Sequence, residues 1–168
     1  MAMMVYVERS HSRKGGFLRD SSRREIVEKY TQRIEPFFRY IPWLEQVSGA
    51  KAHSVFSGQG IGEHSMSFPV YDSTLLGFVK QLAQSEMMNR NYAYLYSWNR
   101  MRTVEDELKF IEKASLYEID VLEAILSKYA LGGMTKGMLW NQAIEYSVFL
   151  KVLQRFKTVL DYWDKPEE

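Results

Sequence analysis

The sequence predicts a mainly α fold: a multi-helix bundle with a small β-hairpin inserted between an N-terminal helix and the remaining helices. Three observations predict it. Apolar residues recur at helical spacing through most of the chain. Helix-start signals precede several of these runs. Between residues 50 and 70 the period shifts to short strands around a glycine-rich centre, Gly58-Gln-Gly-Ile-Gly62. The chain has 168 residues, 46% hydrophobic and 14% aromatic, enough for one domain with its own core. Its predicted parts are an N-terminal arm (1–20), a helix (21–47), the hairpin (50–70) and a helical bundle (72–164).

Residues 1–20, polar and glycine-bearing from Ser10 to Gly16, read as a loose arm. The first helix begins near Ser21 or Ser22, with Glu25 placed for a capping box. Ile26, Val27, Tyr30, Ile34, Phe37, Phe38 and Ile41 share one third of its wheel. Pro36 should kink or restart it, and Pro42-Trp-Leu-Glu45 reads as a further short turn of helix. After the hairpin, Pro69 should end strand pairing, and Asp72 or Ser73 caps a helix with Leu75, Phe78, Val79, Leu82 and Ala83 on one stripe. Asn91 to Trp98 alternates like a strand in its aromatics, but helical neighbours favour helix.

The C-terminal half carries clearer punctuation. Thr103 caps a helix with acids in its first turn, where the dipole favours them. Ser115-Leu-Tyr-Glu118 is a capping box. In the helix that follows, Ile119, Leu122, Ile125, Leu126 and Tyr129 form the apolar face, with Asp120, Glu123 and Ser127 directed to solvent; Gly132-Gly133 stops it. A last helix is expected from about Gly137 to Asp164. Its two apolar stripes, one with Leu139, Ala143, Tyr146, Leu150, Leu153 and Leu160 and one with Trp140, Ile144, Val148, Val152 and Val159, predict burial on most sides. It is either the centre of the bundle or part of a subunit interface.

The formal net charge of +1 gives the whole molecule no strong pull toward nucleic acid or membrane. Charge is uneven: residues 1–40 hold nine Lys/Arg against five Asp/Glu, and residues 101–168 nine against twelve. Without cysteine, disulfides, thiol nucleophiles and cysteine-based zinc sites are excluded. Met1 to Arg9 lacks the pattern of a signal peptide and no 18-residue apolar run exists, so a soluble cytoplasmic protein is expected.

From Tyr92 to Phe156 the chain resembles a family of small bacterial proteins known only as a domain of unknown function. The resemblance rests on Tyr92, Leu108, Ile111, Ala114, Leu122, Leu126, Gly132, Gly137, Trp140, Ile144, Glu145, Leu150 and Leu153, with Tyr40, Pro42, Trp43 and Val70-Tyr71 upstream. The family's charged turn, Arg-Gly-Glu-Arg-Phe, is here the uncharged Leu131-Gly-Gly-Met-Thr135. The resemblance implies a fold and no activity.

Candidate sites are few. With Gln59-Gly60 as the turn, His53 faces Met66 and His64 faces Val55, which sets the two imidazoles diagonally on one face at about 7–8 Å. A metal needs more ligands than these two supply, and Glu63 falls on the other face, so neither metal nor cofactor is expected. Gly58-x-Gly-x-Gly62 lacks the helix and the Lys-Ser/Thr of a phosphate loop. Glu145, on a helix expected to be buried, requires an arginine or a tyrosine hydroxyl as partner. Trp140, Tyr92, Tyr94 and Trp98 are the aromatics that would stack on bases, but at helical spacing the core is the commoner place for them.

Three functional readings remain. The favoured one is a non-catalytic interaction or structural module that self-associates as a homodimer or larger assembly. The second is a small-ligand binder or enzyme with a pocket near Trp140, Glu145 and the hairpin histidines His53 and His64. The third is weak nucleic-acid binding through Arg13, Lys14, Arg19, Arg23 and Arg24.

Overall fold

The computed structural model describes residues 22–49, 53–55 and 69–164. It is mainly helical. Helix α1 spans 22–38, followed by α2 (Ile41–Val47), α3 (Ser73–Ala83), α4 (Tyr92–Trp98), α5 (Val104–Lys113), α6 (Ile119–Gly132), α7 (Met138–Glu145) and α8 (Val148–Asp164). No helix among the described residues is long and apolar enough to cross a membrane.

The start signals at Asp72, Thr103 and Ser115 act as read. Asp72 accepts from the Thr74 N–H at 2.6 Å. Thr103 and Asp106 form a reciprocal capping box at α5. The Glu118 carboxylate accepts from the Ser115 backbone N–H and hydroxyl at 3.3 and 3.0 Å, closing the turn that leads into α6. Each such cap is worth about 1 kcal/mol.

Pro36 does not break α1. The helix runs on to residue 38 and the break falls at 39–40, so the proline occupies the last turn. Pro42 sits in the first turn of α2, where its missing N–H costs nothing. Gly49, at φ +87°, reverses the chain after α2 and donates its N–H to the Ile144 carbonyl at 3.0 Å.

Strands β1 (His53–Val55) and β2 (Pro69–Tyr71) pair antiparallel. His53 lies opposite Tyr71, not Met66, and Val55 opposite Pro69. Pro69 therefore opens the pairing instead of ending it, at the first strand position, where proline is tolerated. The glycine-rich turn, His64 and the N-terminal arm with Arg13, Lys14 and Arg19 lie outside the described residues.

The expected single last helix is two. Ser147, at φ +60°, separates α7 from α8 and rotates their faces relative to each other. Phe149, which an uninterrupted wheel sets on the polar arc with Asn141, Gln142 and Glu145, is fully buried as a result. The centre of the bundle is α6. Ten of its fourteen residues are buried, Glu123 and Ser127 among them, and only Asp120 of the expected solvent face is exposed. It packs against α3, α4, α7 and α8, while α2 and α5 pack on α8. A wheel reading assigned polar residues to water; here the surrounding helices cover both flanks and bring partners to them. Ser127 donates to the Glu123 carbonyl and accepts from the Asn89 N–H, both at 2.7 Å.

A chain of aromatic rings runs through the core. Phe37 meets Phe78 edge-on at 6.2 Å, Phe78 meets Phe149 at 5.1 Å, and Phe149 meets Tyr129 at 6.2 Å. These contacts join α1, α3, α8 and α6. The flank bearing Ile144 and Val148 is covered, at 1% and 0% exposure, within the chain itself.

Candidate functional site

Two polar constellations stand out from this apolar frame. The first is a cleft of ≈ 480 Å³ between α1 and the end of α3. Lys29, Gln32 and Arg33 line it from α1, Gln81, Gln84, Ser85 and Glu86 from the other side, with Pro36 and Phe37 between. The volume is of the order that takes a small ligand.

The lining is rich in donors. The Gln81 carbonyl oxygen accepts from Arg39 at 2.6 Å and from the Tyr40 hydroxyl at 3.0 Å, which leaves its amide N–H groups for the cleft. Arg33 is tethered loosely, 3.5 Å from the exposed Glu86 carboxylate and 3.7 Å from Glu123 behind it on α6. Neither contact has the short, bidentate geometry of a committed arginine–carboxylate pair. Lys29 and Arg33 both lie near the Tyr30 ring, at 5.7 and 5.8 Å.

Glu123 is the titrating group of this region. Burial pushes its carboxyl from 4.5 up to about 7; Arg33 and Lys29 pull it down, and Asp120 raises it further. The folded chain thus holds a proton that the unfolded chain releases near its ordinary value. Folding takes up a proton between these two pH values, so this part of the stability is present in acid and is lost as pH rises toward about 7. Thermal unfolding from pH 4.5 to 8 should show a decline on the order of 2–3 kcal/mol that Glu123→Gln removes. An unchanged slope in the Gln variant would place the pH dependence elsewhere.

The second constellation is a buried ionic cluster where α4, α5 and α6 meet. Glu107, 1% exposed, accepts from Lys128 Nζ at 2.8 Å. The ammonium also lies 4.8 Å from the Tyr96 ring and 5.0 Å from the Tyr129 ring. Both phenol hydroxyls and the second Glu107 oxygen are buried without a partner in hydrogen-bond geometry. Burial first, then the Glu107 charge, pushes both phenols well above their ordinary value. All three polar atoms are closed off from solvent, so the cluster is a structural joint.

A scan against protein-family models finds no match, and neither does a search of curated proteins or of solved structures. The residues themselves carry the functional reading.

Of the sequence-predicted pocket residues, the side chains of Trp140 and Glu145 are described; those of His53 and His64 lie outside the described residues. Trp140 is buried and donates its indole N–H to the Ala130 carbonyl at 3.3 Å. Glu145 is exposed, because α7 ends on it and the chain turns outward there. The expected buried carboxylate exists, with tyrosines beside it, but it is Glu107. Among the described residues no three His, Cys, Asp or Glu gather as a metal site. Arg23 stacks over Trp163 at 4.6 Å, and Arg24 is exposed on α1. Tyr94 and Trp98, read as core, are exposed instead. Sequence reasoning missed Arg33, Gln81 and Glu86, whose meeting depends on how α1 crosses α3.

Proposed function

We propose that the protein is a binding module that holds a small anionic ligand in the cleft between α1 and α3. The observation that carries this reading is Arg33, a half-buried guanidinium held by two long, single contacts and facing a cleft lined with amide donors and Lys29. A ligand carboxylate or phosphate would give it the bidentate partner it lacks. Glu123, which lies behind Arg33 and outside the lining, would then position the guanidinium. The apolar flank that argued for self-association is covered within the chain, which removes that support for an assembly role. Kinship with the small bacterial family belongs to the same proposal; it rests on Gly132, Trp140 and Ile144 of the shared pattern and adds no ligand.

The test is thermal unfolding in the presence of inorganic phosphate, citrate or glutamate. A ligand at one hundred times its Kd stabilises by about 2.7 kcal/mol, or about 5–10 °C in Tm for a domain of this size. At least one of these anions should produce such a rise in the unmodified protein, and Arg33→Gln should abolish it. No shift with any of them, or an equal shift in the Gln variant, would refute the reading.

A further inference from the structure

We infer that α4 and the turns bracketing it form a binding surface for single-stranded nucleic acid, with Tyr94 and Trp98 stacking on bases and Arg90, Arg100 and Arg102 meeting phosphates. This site is separate from the α1–α3 cleft and stands without it.

Tyr94 and Trp98 are 64% and 74% exposed. They are spaced i, i+4 on one helix face, with ring centroids 6.3 Å apart and planes inclined by 24°. A stacked phenol and indole held in water each keep an outer face open, and every base has a face that such a ring accepts. The other face of α4 explains why these rings stay out: Tyr96 is the buried aromatic, set into the Glu107–Lys128 cluster. The platform is therefore held on an anchored helix.

The charge around it has one sign. From Met87 to Val104 the sequence holds Arg90, Arg100 and Arg102 and no acid. All three arginines are exposed, and none forms an ion pair among the described residues. On the C-terminal side the acids begin with the exposed Glu105; the next, Asp106, is occupied by the backbone N–H groups of Arg102 and Thr103 at 2.9 and 3.1 Å. Three other arginines are engaged, Arg23 on Trp163, Arg39 on Gln81 and Arg155 on the Ala114 carbonyl, whereas Arg24 is exposed on α1.

The backbone supplies an independent pointer. Met101 donates its N–H to the Tyr96 carbonyl at 2.9 Å and Arg100 to Ser97 at 3.2 Å, the two bonds that close a helix C-terminus around a left-handed residue. That residue is Arg100, at φ +54°. Glycine is the ordinary occupant of this position, and an arginine there is strained. Strain of this kind concentrates where a side chain is used. The partner that fits flat exposed rings flanked by three unengaged guanidiniums is a flexible polyanion with splayed bases, not a duplex whose bases are stacked inside.

The experiment is fluorescence anisotropy of a labelled single-stranded oligonucleotide with the full chain. Binding is expected at 50 mM salt, weakening about 20-fold by 200 mM, the effect of three phosphate contacts on a single strand. Trp98→Ala and Tyr94→Ala, at exposed positions that leave the fold intact, should each weaken it at least 10-fold. Arg100→Gly should weaken binding several-fold while raising Tm, a pairing that general damage to the fold would not give. The combined Arg13→Ala, Lys14→Ala and Arg19→Ala variant should retain the Trp98 dependence. No binding at 50 mM salt, equal affinity of Trp98→Ala, or equal affinity for the duplex would overturn the inference. So would competition by poly-glutamate as effective as by unlabelled oligonucleotide, which would point to an acidic protein partner.

Discussion

Gly133→Ala is expected to destabilise the fold by about 3 kcal/mol or more. The backbone at Gly133 is ordinary right-handed helix, φ −67° and ψ −19°, so any L-residue suits its dihedral angles. The requirement is space. A Cβ there would fall within the indole ring of Trp140, whose Cε2 would lie at 2.6 Å. The ring has no room to retreat, because it is buried and its N–H is bonded to the Ala130 carbonyl. At the neighbouring Gly132 a Cβ would meet only the tip of Leu139 at 2.8 Å, a side chain able to rotate away. In a Trp140→Ala background, Gly133→Ala should become neutral or slightly stabilising, since removing a glycine restricts the unfolded chain. Chemical denaturation of the four proteins of this double-mutant cycle measures the coupling. Equal effects of Gly133→Ala in both backgrounds would show that the indole is not what the glycine accommodates.

Lys128→Met should cost about 3–5 kcal/mol, the typical consequence of leaving a buried charge alone. Glu107 is closed to solvent, and the Lys128 ammonium is the cation that meets it, at 2.8 Å. Methionine fills the aliphatic volume between the Tyr96 and Tyr129 rings but brings no charge. The double variant Glu107→Gln, Lys128→Met should recover most of the loss. Urea denaturation of both variants beside the unmodified protein separates these outcomes. A cost below about 1 kcal/mol at pH 8 would reduce the pair to a surface-grade interaction.

Much of the fold was legible because its signals are local. Asp72, Thr103 and Ser115–Glu118 cap helices within four residues of themselves. What escaped is set by distant neighbours. A helical wheel assumes one axis and one solvent side, and the left-handed Ser147 breaks the first assumption while the enclosure of α6 breaks the second. Hence Phe149, Glu123 and Ser127 were assigned to water and Glu145 to the interior. The candidate cleft left no trace in the sequence. Arg33 and Gln81 lie 48 positions apart, and nothing in either segment indicates that the other will face it. The Glu107 cluster was legible only as a rule, that a buried carboxylate needs a tyrosine or a cation; the rule holds, at another glutamate.

The enclosure of α6 also bears on how this chain can be cut or rearranged. Segments before it, α3 and α4, and after it, α7 and α8, all spend their greasy surfaces on the same fourteen residues. A break between Lys113 and Leu116 would leave α6 with α7 and α8 and deprive α3 and α4 of the wall they pack on, so division at this hub should cost far more than a graft at the rim.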